Sequence, residues 1–207
     1  MSLSPAIHSF EEGVVFNEDV KIIYRDYGPK DAEPILLVQG LGGQLINWPD
    51  HLIDFLISNN FRPIVFDNRD TGLSSRLTDD RFAEGNRSKT INSTYLKYYF
   101  RLPINPPYTL DDMASDAILI LDKLDIDKTH LLGMSMGGMI AQIIAANHPE
   151  RINSFTLIAS SISAPSPLNG PTRDVRRLLM KRSANPYSTN DEPVSYTHLT
   201  LPTNREV

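Results

Sequence analysis

The sequence predicts an α/β fold, a mostly parallel sheet with helices on both faces. Three observations carry that prediction. Short apolar runs alternate with segments of helical periodicity, the pattern of successive strand–helix–strand units. Several of those runs are continuously apolar, as strands covered on both faces must be. The chain has 207 residues, 41% of them hydrophobic, which is enough for one domain with a sizeable core.

The elements follow in chain order. Residues 20–28 (VKIIYRDYG) read as an early strand that Gly28-Pro29 ends. Residues 35–39 (ILLVQ) are a short continuous strand, followed by the glycine-rich GLGGQ. A helix is predicted from about Pro49 to Asn59, with Leu52, Ile53, Phe55 and Leu56 as its buried stripe. Residues 62–67 (RPIVFD) form the next strand. Residues 68–108 are long, polar and irregular, with local order only at 93–100 (STYLKYYF). Stretches of that length are uncommon unless they serve a function.

A second helix opens at Thr109, placed to cap it with Asp112 at the third helical position. Met113, Ala117, Ile120, Leu121 and Leu124 recur at helical spacing. THLLG is a strand, and MIAQIIAANH a helix apolar on nearly every side, which must stop near His148 because Pro149 follows. Residues 153–160 (NSFTLIAS) are one more strand, then Pro165, Pro167, Gly170 and Pro171 precede the basic piece TRDVRRLLMKR.

Charge and composition exclude several classes of function. The net charge is −5 and the isoelectric point about 5.5, which gives no electrostatic reason to seek nucleic acid or anionic lipid. No apolar run approaches the roughly 20 residues needed to span a bilayer, so no membrane partner is expected. The N-terminus MSLSPAIHSFEEG lacks the basic and apolar regions of a signal peptide. The absence of cysteine removes disulfides and thiolate metal sites and suits a cytoplasmic location.

The chemistry concentrates in GMSMG, residues 133–137. It fits the pattern G-x-S-x-G at a strand-to-helix turn. A strand that turns at once into a helix strains its central residue, and glycines two positions before and after remove side chains that would clash. Ser135 is left at the tip, with the following helix directing N–H groups and its positive dipole end at the same spot. An acyl-transfer site also needs two N–H donors aimed at the developing oxyanion. In this architecture one comes from the residue after the nucleophile, Met136, and the other from the loop after the third strand. That loop is VQGLGG, and Leu41 is its candidate donor.

These stretches, with VFDNRDTGLSS and HPERI and their order, resemble the α/β-hydrolase fold superfamily. The likeness is closest to esterases similar to aclacinomycin methylesterase and covers about residues 14–183. It implies an α/β-hydrolase fold, incomplete at the C-terminus, in which Ser135 is the catalytic nucleophile, with Leu41 and Met136 forming the oxyanion hole. It implies a carboxylic ester as small-molecule substrate, no cofactor and no metal. It also implies a helical lid after the strand that ends near Ser160. Gln39-Gly40 stands where the family usually carries His-Gly. Asp67 and Arg69 read as structural, tying the DNRDTGLS loop to the sheet.

The activating partners are harder to place. In this fold the order is Ser, then Asp or Glu, then His. Only His148 and His198 follow Ser135. His148 lies 13 residues on along the same helix, roughly 20 Å away at about 1.5 Å per residue, and reads as a helix C-terminal residue. His8, His51 and His130 precede the serine and read as surface or core residues. His198 sits in VSYTHLTLPT, which resembles the in-frame translation of a sequencing-library adapter. Asp174, Asp191 and Glu192 lie in the wrong context for the acid.

The organisation expected is therefore residues 1–160 as the N-terminal part of the hydrolase core, 161–193 as the start of a lid, and 194–207 as a non-native tail. Tyr95, Tyr98, Tyr99, Phe100, Leu178 and Leu179 fit either a pocket wall for an apolar substrate portion or ordinary packing. Within the fold, a cofactor-free perhydrolase or a C–C bond hydrolase stays open beside the esterase. So does a chain that, lacking the triad acid and histidine, is inactive by itself.

Overall fold

Continuous apolar strands make sense only if both sheet faces are covered, and the architecture shows both covers. A computed structural model of the chain describes residues 9–77, 97 and 106–161. Among these residues six strands form one sheet: β1 (Phe10–Asn17), β2 (Val20–Tyr27), β3 (Glu33–Val38), β4 (Phe61–Phe66), β5 (Thr129–Met134) and β6 (Ile152–Ile158). Their spatial order is β1-β2-β4-β3-β5-β6. β1 pairs antiparallel with β2, and β2 antiparallel with β4. The pairs β3–β4, β3–β5 and β5–β6 are parallel.

Among the described residues three helices lie against it: α1 (Asp50–Ser58), α2 (Leu110–Lys123) and α3 (Met136–Asn147). Neighbouring strand residues point to opposite faces. Ile22, Leu36, Ile64 and Leu131 belong to the core built with α2 and α3. Ile23, Leu37, Val65 and Leu132 belong to the core built with α1 and Trp48. Each central strand thus needs an apolar residue at every position, which is why ILLV and IVF run without a polar break.

Local chemistry sets the helix limits. The Thr109 hydroxyl accepts the Asp112 N–H at 3.3 Å, and the Asp112 carboxylate accepts the Thr109 N–H at 2.7 Å. These reciprocal bonds satisfy two N–H groups that the first turn cannot. α3 stops at Asn147, with His148 as its C-cap and Pro149 next.

Two sequence expectations need correction. The sequence pattern assigns no strand to residues 10–17, because FEEGVVFN mixes charge with apolar residues in no clean period; β1 is held by full antiparallel register with β2. Phe55 is 61% exposed and does not share the buried stripe of α1, which is Ile53 and Leu56. At 3.6 residues per turn, position 55 lies about 200° round from 53, on the outer side. Residues 8, 93–96, 98–100, 174, 178–179, 191–192 and 198, with the predicted lid and tail, lie outside the described residues.

Candidate active site

The site forms where β3, β4 and β5 end at the same edge of the sheet. β5 delivers the chain to Ser135 and α3 begins with Met136, so one residue makes the whole turn. Ser135 has φ 53° and ψ −118°, a left-handed conformation that costs an L-residue energy and marks a functional turn. It is exposed. Its N–H donates to the Ile158 carbonyl at 2.9 Å, and its carbonyl accepts from Gly138 N at 3.0 Å and Ser160 Oγ at 2.8 Å. The backbone of the turn is thereby tied to the end of β6 while the hydroxyl stays outside.

The flanking glycines are required by contact. A Cβ at Gly133 would meet the Gly137 carbonyl oxygen at 2.6 Å, and one at Gly137 would meet the Val38 carbonyl oxygen at 2.1 Å. Gly138 is as tight, since its Cβ would lie 2.4 Å from Ser160 Oγ. Helix α3 therefore sits directly on the ends of β3 and β5, and its first N–H groups open at Ser135.

The glycine-rich loop arrives from the other side. Gly43 N–H donates to the Gly40 carbonyl at 3.1 Å, closing a turn in which Gly42 has φ +72°. A Cβ on Gly40 would lie 3.1 Å from Ser135 Cβ and 3.7 Å from Ser135 Oγ, so the loop runs alongside the serine. Leu41 is 83% exposed. Among the described residues neither the Leu41 nor the Met136 N–H has an acceptor. A cavity of about 400 Å³ opens here, lined by Leu41, Met136, Arg69, Asp70, Tyr108 and Met113 among others. The exposed Ser135 thus stands next to Met136 in sequence and beside the loop that carries Leu41, and both Leu41 and Met136 line this cavity.

DNRDTGLS braces this edge. Asp67 accepts the Leu45 N–H at 2.7 Å and the Leu73 N–H at 2.9 Å, so one carboxylate joins the segment after the glycine loop to the next turn. Burial pushes the Asp67 carboxyl above its usual range, and those two N–H bonds pull the other way. Arg69 reaches α2 rather than the sheet, bonding Asp116 through Nε at 2.8 Å and Nη2 at 2.7 Å. Asp116 also accepts from Asn17 Nδ2 at 2.7 Å. Burial first, then the Asp70 carboxylate, push the Tyr108 phenol up.

The described histidines do not gather at Ser135. His130 is the second residue of β5, about 16 Å from the serine at roughly 3.3 Å per residue; its Nδ1 lies 2.7 Å from Ser154 Oγ and its Nε2 3.4 Å from Glu33. His148 caps the far end of α3, its N–H donating to the Ile144 carbonyl at 2.8 Å. His51 is exposed in the first turn of α1. Among the described residues no three His, Asp or Glu side chains converge as a metal site, and no helix is long and apolar enough to cross a membrane. Asn68, Asp116 and Ser160 support the site without a local signal in the sequence, whereas Gln39 stood out only as the departure from the family's usual His-Gly.

Comparison with known proteins adds the family. Rhodomycin D methylesterase DnrP of Streptomyces peucetius is 29% identical over 145 residues, 70% of this chain and 41% of that protein. Rhodomycin D methylesterase DauP of Streptomyces sp. (strain C5) is 33% identical over 130 residues, 63% of this chain and 35% of that one. The matched segment thus spans less than half the length of these relatives. Among solved structures, a carboxylesterase of Nitrososphaera gargenis superposes with a TM-score of 0.58 at 22% identity, over 75% of this chain and 47% of that one. A hydrolase from Pseudomonas aeruginosa PA01 superposes with a TM-score of 0.56 at 25% identity, over 79% and 49%. The family model described as alpha/beta hydrolase fold matches residues 33–196. With this sheet order and this match, the chain belongs to the α/β-hydrolase fold family.

Proposed function

We propose that the protein carrying this chain hydrolyses carboxylic esters through Ser135. The Ser135 hydroxyl attacks the ester carbonyl carbon and gives up its proton to a base. The tetrahedral oxyanion is held by the N–H groups of Leu41 and Met136. The carbonyl re-forms, the alcohol leaves with a proton, and an acyl-enzyme remains on Ser135. Water then attacks the acyl carbon and releases the acid. No step needs a metal or an organic cofactor.

The observation that carries this reading is the exposed, left-handed Ser135 beside two amides without acceptors. The methylesterase relatives support the choice of an ester. The base lies outside the described residues in this reading, since neither His130 nor His148 reaches the serine. The 207-residue chain by itself is accordingly proposed to be far less active than an intact homologue, because the parts of such a site act as a unit.

The test is hydrolysis of p-nitrophenyl esters by the full-length protein and by Ser135→Ala. The substitution should lower kcat at least about a thousandfold. Hydrolysis by the variant at the wild-type rate would overturn the proposal.

A further inference from the structure

Three pieces of the site meet at one residue, Gln39, which follows β3. Its side chain is buried, with 1% exposure. Oε1 accepts the Gly40 N–H at 3.3 Å. The turn closes over this amide so tightly that a Cβ at Gly43 would lie 2.8 Å from Oε1. The Gln39 carbonyl accepts from Asn68 Nδ2, at the end of β4, at 3.1 Å. The same carbonyl lies under the first turn of α3, where a Cβ at Gly137 would come within 2.6 Å of it. Gln39 therefore touches the loop that carries Leu41, the strand end that carries Asn68, and the helix start that carries Met136.

Two atoms of this arrangement are unsatisfied. Gln39 Nε2 and Asn68 Oδ1 are buried with no hydrogen-bond partner among the described residues. Such groups cost stability, and an unbranched apolar side chain at position 39 would remove one of them. Stability alone does not account for an amide here. What the amide does offer is a fixed acceptor inside the turn, directly against the backbone that leads to Leu41.

We propose that Gln39, backed by Asn68, is a positioning residue that sets the spacing between the Leu41 and Met136 N–H groups. The inference rests on the ester-hydrolase reading above. Two donors that converge on one oxygen are effective only at hydrogen-bond distance from the place where the oxyanion forms. Gln39 holds the loop through Gly40, and its own carbonyl packs against the start of α3 at Gly137, the residue after Met136, so it bears on both sides of that gap.

The experiment uses the full-length protein with Gln39→Met and Gln39→His. Methionine keeps the volume and loses the acceptor; histidine restores one. Gln39→Met should lower kcat about a hundredfold and leave KM within about threefold, the signature of an interaction made in the transition state. Affinity for an aryl boronic acid should fall in parallel, and the melting temperature should not drop. Gln39→His should recover most of kcat. In a cycle with Asn68→Ala the two losses should be non-additive.

An unchanged kcat in Gln39→Met would overturn the inference. So would a loss accompanied by a lowered melting temperature and not recovered in Gln39→His, because that is a packing defect. Ser135→Ala separates the two levels. If it stays active, the hydrolase reading fails; if it is inactive while Gln39→Met is fully active, only the role of Gln39 fails.

Discussion

Single residues decide whether the turn at Ser135 can form, and glycine is the most exposed to change. At Gly137 an added methyl would meet the Val38 carbonyl oxygen at 2.1 Å, a backbone atom that cannot rotate aside. Gly137→Ala should therefore lift α3 from β3 and cost about 3 kcal/mol in urea denaturation, at the upper end of overpacking effects. Gly42 makes a useful contrast. Nothing lies within 4 Å of a Cβ there, yet φ is +72°. Gly42→Ala should cost only about 1 kcal/mol, the strain of a left-handed alanine. If the two substitutions proved equal, the contact argument for Gly137 would fail.

At the level of elements, capping and strand junctions matter more than propensity. α2 is fixed at its start by the reciprocal bonds of Thr109 and Asp112, and those bonds hold the Asp112 carboxyl below its usual range. Thr109→Ala should cost about 1 kcal/mol, read as a lower melting temperature. The antiparallel junction of β2 with β4 depends on Asp26, whose carboxylate is fully buried. Arg62 bonds it through Nε at 2.9 Å and Nη2 at 2.8 Å, and Lys30 joins from solvent.

Burial alone would raise the Asp26 carboxyl, but the bonds from Arg62 and Lys30 outweigh it and hold it below the usual 3.8. The folded state thus binds this proton more weakly than the unfolded chain. The contribution of Asp26 is complete above the unfolded value and is lost as pH falls through the folded one. Urea midpoints should drop on acidification below about pH 4, and Asp26→Asn should flatten that limb while lowering stability at neutral pH. An acid limb as steep as wild type in Asp26→Asn would contradict this assignment.

Across the whole molecule, one buried ion pair ties the turn after β4 to helix α2 and, through Asn17, to the edge strand β1. Arg69 comes from the turn after β4, Asp116 from the middle of α2, and Asn17 from the end of β1. Both charged groups are almost wholly buried. Asp116→Ala would leave the Arg69 cation buried without its partner and should cost about 4 kcal/mol. The double substitution Arg69→Met with Asp116→Leu should recover much of that loss, because no uncompensated charge then remains. Chemical denaturation of the single and double variants reads both outcomes.

How much of this was legible in the sequence follows from the range of each interaction. The apolar runs at 35–38 and 64–66 and the spacing from Met113 to Leu121 report burial directly, so the central strands, α2 and α3 could be read residue by residue. GMSMG announced its turn because part of the steric demand is local, a Cβ at Gly133 meeting the Gly137 carbonyl oxygen, although Gly137 itself is demanded by the Val38 carbonyl at the end of β3. β1 escaped notice because its order comes from pairing with β2, and Phe55 was misplaced because only packing selects which side of α1 faces inward. Gln39 and Asn68 are 29 residues apart and nothing local links them. Sequence alone determined what adjacent residues impose on one another: strand, turn, cap and the conformation of Ser135. Tertiary structure decided which distant amides, carboxylates and backbone donors share a site, because hydrogen bonds and close contacts between strand ends exist only once the sheet has assembled.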